Sequence, residues 1–316
     1  MQAFVGPGTP LSTDGVNQFT TATGAGTAEL WAVLSVETSG CGFQPDRRPK
    51  ILFERHKFST LTRHSYDDTH PDISQPTAGG YGAGGANQYN RLAEALALVE
   101  TAALQSASWG LGQIMGQNFC AAGFASVQDM VAAMIAGEDG QLAAMAHFLN
   151  SNLLAKPLAQ HDWTSFARGY NGANYAQNNY DGKLGQFYSL FSTGNAPDIT
   201  VRKVQMLLVY KGLNPGQIDG RNGANTTKAI LAFQGANGMP QTGTIDAALI
   251  AACLKPSARA RVHQILCRSI TGQQHDLHSK EPRAPPSWSV EGQAMRLSHS
   301  KASPSQNMSL LYLEEP

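Results

Sequence analysis

The chain has 316 residues, and its 23 basic and 23 acidic side chains give a formal net charge of zero at pH 7. This balance argues against nucleic acid as the main partner, because proteins that bind it usually carry a clear basic excess. No apolar run approaches the ~20 residues that a membrane-spanning helix needs, so we expect no membrane insertion. At the usual ~150 residues per domain, the length corresponds to roughly two domains.

The first region, residues 1–192, has the periodicity of a helical domain. Its apolar residues recur at spacings of three and four. Residues 44–85 are polar and too long for a simple connection, so we expect them to be functional or to have structure of their own. The predicted helices cover residues 28–36 and 88–104, begin at Ser126, and include residues 142–149.

The second region, residues 199–254, follows a short linker of turn-forming residues at 192–198. Its apolar residues predict three helices, and about 55 residues can form a small, marginally stable domain. Residues 255–316 show little periodicity and few apolar clusters, which predicts a disordered tail. The expected fold class is therefore mainly α, with two domains and a tail.

Neither the cysteines nor the histidines have the spacing of a metal site. His56 and His70 match no zinc signature with Asp67 or Asp68. We expect no metal and no other cofactor, and free buried thiols in a reducing compartment. The cysteines are widely spaced, with no CxxC pair among them: Cys41, Cys120, Cys253 and Cys267.

Glu37 lies where an apolar run ends and a flexible segment, Thr38 to Gly40, begins. A carboxyl group at the C-terminal end of an apolar helix is partly desolvated and lies near the partial negative charge of the helix end. Both effects raise its pKa, which a general acid needs near neutral pH. Glu37 is therefore a candidate general acid, and an exposed glutamate on the polar side of the helix is the alternative.

Two further segments have unusual compositions. Residues 106–116 contain Gly110, Gly112 and Gly116, and each glycine costs a helix ~1 kcal/mol relative to alanine. Such a segment indicates a backbone that a ligand approaches closely. Residues 168–183 mix tyrosine and asparagine with glycine, which suits a sugar-binding cleft, because rings stack on sugars and amides bind hydroxyls. Ordinary loops are the alternative for both segments.

Taken in order, 36-VETSG-40, 108-SWGLGQIM-115 and 169-GYNGA-173 resemble the signature of the lysozyme-like superfamily, which includes soluble lytic transglycosylases and goose-type lysozymes. With 50-KILFERHKF-58, residues 28–188 more closely resemble the N-acetylmuramidase domain of modular phage endolysins.

The second region resembles the three-helix peptidoglycan-binding domain of cell-wall hydrolases, although 221-RNGANT-226 departs from the usual loop of that family. The resemblances together imply a lysozyme-like catalytic domain at 1–192, a peptidoglycan-binding domain at 199–254 and a disordered tail at 255–316.

The resemblance implies a hydrolase that cleaves the β-1,4 bond between N-acetylmuramic acid and N-acetylglucosamine, with Glu37 protonating the glycosidic oxygen. Glycoside hydrolysis usually needs a second carboxylate, and Glu54 is the first candidate. A salt bridge of Glu54 with Arg55 or Lys57 is the structural alternative. Other candidates for the second carboxylate are Asp46, Asp67 and Asp68. Contacts with the substrate are expected from Ile114, Tyr170, Asn171 and Tyr175, and contacts with the sugar or with Glu37 from Ser108 and Gln113.

Two alternatives stay open. A lytic transglycosylase would need no second carboxylate, because the 6-hydroxyl of the muramic acid itself attacks and leaves an anhydromuramic end. The other alternative is a protein that binds the cell wall but has no enzymatic activity. Because the net charge is near zero, we expect the second region to bind the wall. Deletion of 199–254 is then expected to weaken wall binding and to leave cleavage of soluble glycan intact.

The expected partner is bacterial peptidoglycan, and the expected state is a monomer. The segment MQAFVGPGTPLSTDG has neither the basic nor the apolar part of a secretory signal. This fits an endolysin that stays in the cytoplasm of the host bacterium and acts on the wall after release.

Overall fold

The computed structural model describes residues 4–38, 40–173 and 175–255, and these form a mainly helical protein with one small antiparallel sheet. The predicted fold class is thereby confirmed. The predicted disordered tail lies, apart from its first residue, outside the described residues.

The first region contains ten α-helices among its described residues and all three strands of the sheet. The helices are α1 (Thr13–Thr23), α2 (Thr27–Thr38), α3 (Arg55–Leu61), α4 (Gln88–Leu98), α5 (Glu100–Gln105), α6 (Val127–Ala136), α7 (Glu138–Ser151), α8 (Ala155–Ala159), α9 (Trp163–Asn171) and α10 (Tyr180–Leu190). The strands are β1 (Ile51–Phe53), β2 (Ala107–Trp109) and β3 (Ile114–Met115).

Helix α2 lies in the core of the first region. It is apolar on all sides, and Leu30, Ala32 and Val33 have no exposed surface. A helix that is apolar all round must be buried. Helix α10 packs along α2, and α1 packs along α7. The last turn of α2, which carries Glu37, is therefore held inside the protein.

Two predictions about helix ends have different outcomes. Ser126 begins α6, and its Oγ accepts a hydrogen bond of 3.0 Å from the backbone N–H of Asp129, as its sequence pattern predicts. The single helix predicted over 88–104 is wrong. Val99 takes an extended conformation (φ −144°, ψ 97°) and separates α4 from α5, consistent with the stiffness of a β-branched side chain.

The polar stretch at 44–85 has structure of its own, which was one of the two possibilities predicted for it. It contains β1 and α3, and β1 pairs with β2 so that Ile51 lies opposite Trp109 and Phe53 opposite Ala107. Strand β2 pairs in turn with β3, with Ser108 opposite Met115. The sheet thus joins the segment 50–58 to the glycine-rich segment.

The second region is the predicted three-helix bundle, and its apolar residues form a separate core. Gln205 organises the polar side, because its side chain donates to Asp219 and Thr226 and accepts from the N–H of Gly220. The helices are α11 (Ile199–Tyr210), α12 (Ala224–Ala236) and α13 (Ala247–Leu254). The buried residues of this core are Val204, Leu207, Leu208, Ala229, Ile230, Phe233, Leu249 and Cys253.

The thiol groups only partly fit their prediction. Cys41 and Cys253 are free and buried, but Cys120 is free and exposed, so the expectation that all thiols are buried is wrong. Cys120 lies in the turn that precedes α6, where no neighbouring element covers it. Cys267 lies outside the described residues.

Candidate active site

Glu37 occupies the last turn of α2 and has no exposed surface. Its Oε1 accepts a hydrogen bond from the hydroxyl of Tyr180, at the start of α10. Its Oε2 has no hydrogen-bond partner among the described residues. Burial raises the pKa of Glu37 to about 8, and the hydrogen bond from Tyr180 opposes part of that rise. Glu37 is therefore protonated at neutral pH, and it is not the exposed glutamate of the alternative.

Helix α9 brings Tyr170 to the same place. Its first turn is capped by Asp162, whose carboxylate accepts from the N–H of Ser165 at 3.0 Å. Phe166, one turn before Tyr170, stacks on its ring with centroids 5.3 Å apart. The Tyr170 hydroxyl donates to the carbonyl of Gly112 at 2.6 Å. This bond links α9 to the turn between β2 and β3.

Both tyrosines face Glu37. Burial raises the pKa of Tyr170 and that of Tyr180, and the charge of an ionised Glu37 raises both further. The two hydroxyl groups therefore stay protonated, and that of Tyr180 donates to Glu37 while that of Tyr170 donates to the carbonyl of Gly112. Asn171, the last residue of α9, is buried and lies beside Tyr180.

The glycines of the segment 106–116 make room for protein groups rather than for a ligand. A Cβ at Gly110 would lie 2.5 Å from Cδ of Gln141, and Gly110 also has a φ of +67°. A Cβ at Gly112 would lie 3.2 Å from the Tyr170 hydroxyl, and one at Gly116 only 2.1 Å from the carbonyl oxygen of Leu104. The expected ligand approach is therefore not needed to explain these glycines.

Ser108 and Gln113 bond to each other, not to Glu37. The Ser108 hydroxyl donates to Oε1 of Gln113 at 2.9 Å, and Nε2 of Gln113 donates to the carbonyl of Gly110 at 2.8 Å. These bonds hold the turn between β2 and β3. Ile114 has no exposed surface, so its side chain belongs to the core. Tyr175 is half-buried in a short 3₁₀ turn, Tyr175–Asn178, which leaves part of its ring accessible.

Glu54 lies immediately before α3 and is 3% exposed. Its Oε2 is 3.1 Å from Nδ1 of His56, so His56 is its neighbour, not the expected Arg55 or Lys57. Burial lowers the pKa of Lys57, and the charge of Glu54 opposes that shift. Among the described residues, neither Glu54 nor any other carboxylate contributes to the pKa shift of Glu37.

Two of the other acidic candidates are engaged elsewhere. Asp46 forms an ion pair with Arg48 at 2.6 Å. Asp67 accepts from Ser59 and Ser74 and contacts His64. Within the described part of the chain, no three His, Cys, Asp or Glu side chains group together as metal ligands.

Tyr180 was missed by the sequence reasoning as an individual residue. It falls in the tyrosine-rich segment 168–183, but nothing in its spacing separates it from Tyr175 or Tyr170. It lies 143 positions from Glu37, so their contact depends on the packing of α10 along α2.

These elements place a buried carboxyl group and two tyrosines together in a helical domain. A family profile for N-acetylmuramidase matches residues 26–192, more than half of the chain, and the chain belongs to that family. A profile for a putative peptidoglycan-binding domain matches residues 198–252. The domain boundaries drawn from the sequence at 1–192 and 199–254 stay predictions.

One similar solved structure is the crystal structure of the Burkholderia AP3 phage endolysin. It shares 35% sequence identity with this chain at a TM-score of 0.54, over 59% of this chain and 72% of that chain. No curated protein gives a significant match.

The comparisons confirm the predicted resemblance to a modular endolysin and support a peptidoglycan hydrolase. No helix in the described ranges has both the length and the apolar character to cross a membrane.

Proposed function

We propose that the protein cleaves the β-1,4 bond between N-acetylmuramic acid and N-acetylglucosamine in peptidoglycan, with Glu37 as the general acid. The observation that carries the proposal is the environment of Glu37. This carboxyl group is buried, has a pKa of about 8, and has one oxygen held by Tyr180 while the other is unpaired among the described residues.

The chemistry follows from those two oxygens. Because Oε1 accepts from Tyr180, the proton of the neutral carboxyl group resides on Oε2. Oε2 can give this proton to the glycosidic oxygen as the bond to C1 of the muramic acid breaks. The carboxylate left behind keeps the hydrogen bond from Tyr180, which stabilises its negative charge.

The second step differs between the two enzyme hypotheses. In hydrolysis, a water molecule adds to C1 and gives a hydrated reducing end. Retaining glycosidases place two carboxyl groups ≈ 5–5.5 Å apart, and a carboxylate at that distance would raise the pKa of Glu37 further. No such contribution comes from the described residues. We propose attack by water on C1, with Glu54 as the candidate base.

The same observation also favours a lytic transglycosylase as the second candidate. In that reaction the 6-hydroxyl of the muramic acid attacks its own C1, and no second carboxylate is required. Mass spectrometry of digested, purified peptidoglycan separates the two reactions. Hydrated reducing ends establish a muramidase, whereas anhydromuramic ends establish a transglycosylase and leave Glu54 a structural role.

The digestion needs two variants beside the wild type. Glu37→Gln removes the proposed acid and should release fragments about a hundredfold more slowly or slower still. Glu94→Gln makes the same chemical change at an exposed position of α4 and should digest like the wild type. If wild type and Glu37→Gln both bind walls and neither releases fragments, the protein is a wall-binding protein without activity.

The remaining proposals concern the setting of the reaction. We propose that residues 199–254 bind the wall, that the protein acts as a monomer without nucleic acid or membrane insertion, and that it stays in the host bacterial cytoplasm until release. Tyr175 is proposed to contact the glycan, because its ring is partly accessible beside α9. Sedimentation of the purified chain tests whether it is a monomer, and a wall-binding assay tests whether it binds peptidoglycan.

A further inference from the structure

The two regions share a fully buried ion pair. Arg202, on α11 of the second region, is 1% exposed, and Glu138, the first residue of α7, has no exposed surface. Nη1 of Arg202 donates to Oε2 of Glu138 at 2.6 Å, and Nη2 donates to Oε1 at 2.8 Å. Two parallel bonds of this kind fix the orientation of both side chains.

Glu138 has two further partners in the first region. Its Oε2 accepts from the N–H of Leu11, and its Oε1 accepts from the N–H of Gly42, both at 2.8 Å. Burial alone would raise the pKa of Glu138. The charge of Arg202, its hydrogen bonds and the hydrogen bonds from the two backbone N–H groups outweigh this effect and keep the pKa of Glu138 below its usual value. Glu138 is thus an ionised carboxylate with four donors.

Arg202 also contacts the segment that follows Glu37. Its Nε donates to the carbonyl of Gly40 at 2.8 Å, three residues after the proposed acid. The same segment is held by Nζ of Lys50, which donates to the carbonyl of Thr38 at 2.8 Å, and by the bond from Gly42 to Glu138. Two of these three points of attachment depend on the ion pair.

The second region also packs closely on this segment. A Cβ at Gly40 would lie 2.1 Å from the carbonyl oxygen of Ile218, and Gly40 has a φ of +102°. Cys41 and Phe43 are buried against Met206 of α11. Outside this contact, the hydroxyl of Tyr210 donates to the carbonyl of Gly8 at 2.9 Å. The contact therefore combines hydrogen bonds, an ion pair and apolar packing.

We propose that the second region is a structural part of the active site, and that Arg202 is a positioning residue that holds Glu37 through the backbone of Gly40 and Gly42. The proposal rests on the proposed role of Glu37 as the acid. It replaces the expectation that the second region can be removed without loss of cleavage, because removal would take away Arg202 and leave the buried charge of Glu138 unpaired.

The test compares Arg202→Met with Lys203→Met in the full chain. Lys203 is the next residue on α11, so its replacement removes the same charge, and its side chain has no hydrogen bond or ion pair with the other described residues. The substrate is soluble glycan strands stripped of their stem peptides, so that wall binding does not limit the rate. The readouts are kcat, KM and the pH dependence of kcat/KM.

The expected result is a kcat of Arg202→Met lower by about tenfold or more, with KM little changed, because small displacements of a catalytic group cost that much. The upper pH limit of kcat/KM should also move to lower pH, because a loosened segment lets water reach Glu37 and lowers its pKa. Lys203→Met should behave like the wild type in all three measurements.

Several outcomes separate this inference from the proposed function. A folded Arg202→Met with wild-type kcat and pH limit overturns the inference alone. A wild-type protein that cleaves neither soluble strands nor walls overturns the proposed function instead. If Arg202→Met does not fold, Arg202→Lys, which keeps the charge with one nitrogen, takes its place.

For Arg202→Lys, hydrogen exchange of a peptide covering residues 38–43 is added to the kinetic measurements. Faster exchange there than in the wild type, with unchanged exchange in α6 and a lower kcat, supports the positioning role. Unchanged exchange and unchanged kcat contradict it.

Discussion

Glu37 and Glu138 are both glutamates without exposed surface, yet their pKa values are shifted in opposite directions. Glu138 accepts four hydrogen bonds, two of them from an arginine, and stays ionised. Glu37 accepts one, from a tyrosine, and is protonated at neutral pH. Burial is therefore the same for both, and the number and charge of the donors decide which carboxyl group supports structure and which can give a proton.

The largest effect is expected for the activity of Glu37→Gln. Positioned general acids contribute about 10²–10⁴-fold to a rate, so kcat should fall by that factor. The fold should be kept, because a neutral amide replaces a carboxyl group that is already neutral. Initial rates on purified walls and a thermal melt at pH 7 measure both. A variant that keeps more than about a tenth of the wild-type rate would remove Glu37 from the mechanism.

The same substitution at Glu138 should act on stability. Glu138→Gln leaves the buried charge of Arg202 without its partner, and breaking such a pair costs about 3–5 kcal/mol in free energy of unfolding. Urea denaturation at pH 7 gives this value, with Glu94→Gln as the exposed control. A loss below about 1 kcal/mol, as for a surface pair, would mean that the ion pair contributes little.

The pH dependence of stability should distinguish the wild type from Glu37→Gln. The pKa of Glu37 is about 8 in the folded protein, against 4.5 for an unperturbed glutamate, so its stabilising contribution is complete below pH 4.5 and is lost as the pH rises to about 8. The wild type should lose on the order of several kcal/mol relative to Glu37→Gln over this range. Urea denaturation of both proteins at pH 5 and at pH 8.5 gives the difference. A difference that does not change with pH would contradict the raised pKa.

The smallest expected effect is that of Tyr180→Phe. Loss of the hydrogen bond removes the contribution that lowers the pKa of Glu37, so the upper pH limit of kcat/KM, expected near pH 8, should move to higher pH. Because the carboxylate formed on proton transfer loses its donor, kcat should fall by about tenfold. Pre-steady-state or steady-state rates between pH 5 and 10 test this, and Tyr188→Phe on the same helix serves as control. An upper pH limit of kcat/KM that is unchanged in Tyr180→Phe would show that Tyr180 does not act on Glu37.

The sequence allowed the local parts of this structure to be predicted, but not the long-range ones. The apolar run before Glu37 predicts a buried helix end, and Ser126 predicts a helix start, because both depend on residues within one or two turns. The bond between Tyr180 and Glu37 joins residues 143 positions apart, and the pair of Arg202 and Glu138 joins residues 64 apart. No periodicity relates such pairs, so only the packing of whole helices brings them together.

The glycine-rich segment shows how a local pattern can indicate the wrong cause. Glycines at 110, 112 and 116 do indicate close approach of another group to the backbone. The approaching groups are Gln141, Tyr170 and the backbone of Leu104, all from the protein itself. Composition cannot distinguish a ligand from a buried protein group, because either one can approach the backbone closely only where no Cβ is present.

The complete burial of Glu37 has a kinetic consequence. If Glu37 is the proposed acid, a glycan strand cannot touch it while it has no exposed surface, so neighbouring side chains must move aside in each catalytic cycle before the proton is transferred. The frequency of this opening sets an upper limit on turnover, independent of how fast the bond itself breaks. If opening is slower than bond cleavage, turnover will fall as solvent viscosity rises, while the pH limit set by Glu37 stays where it is.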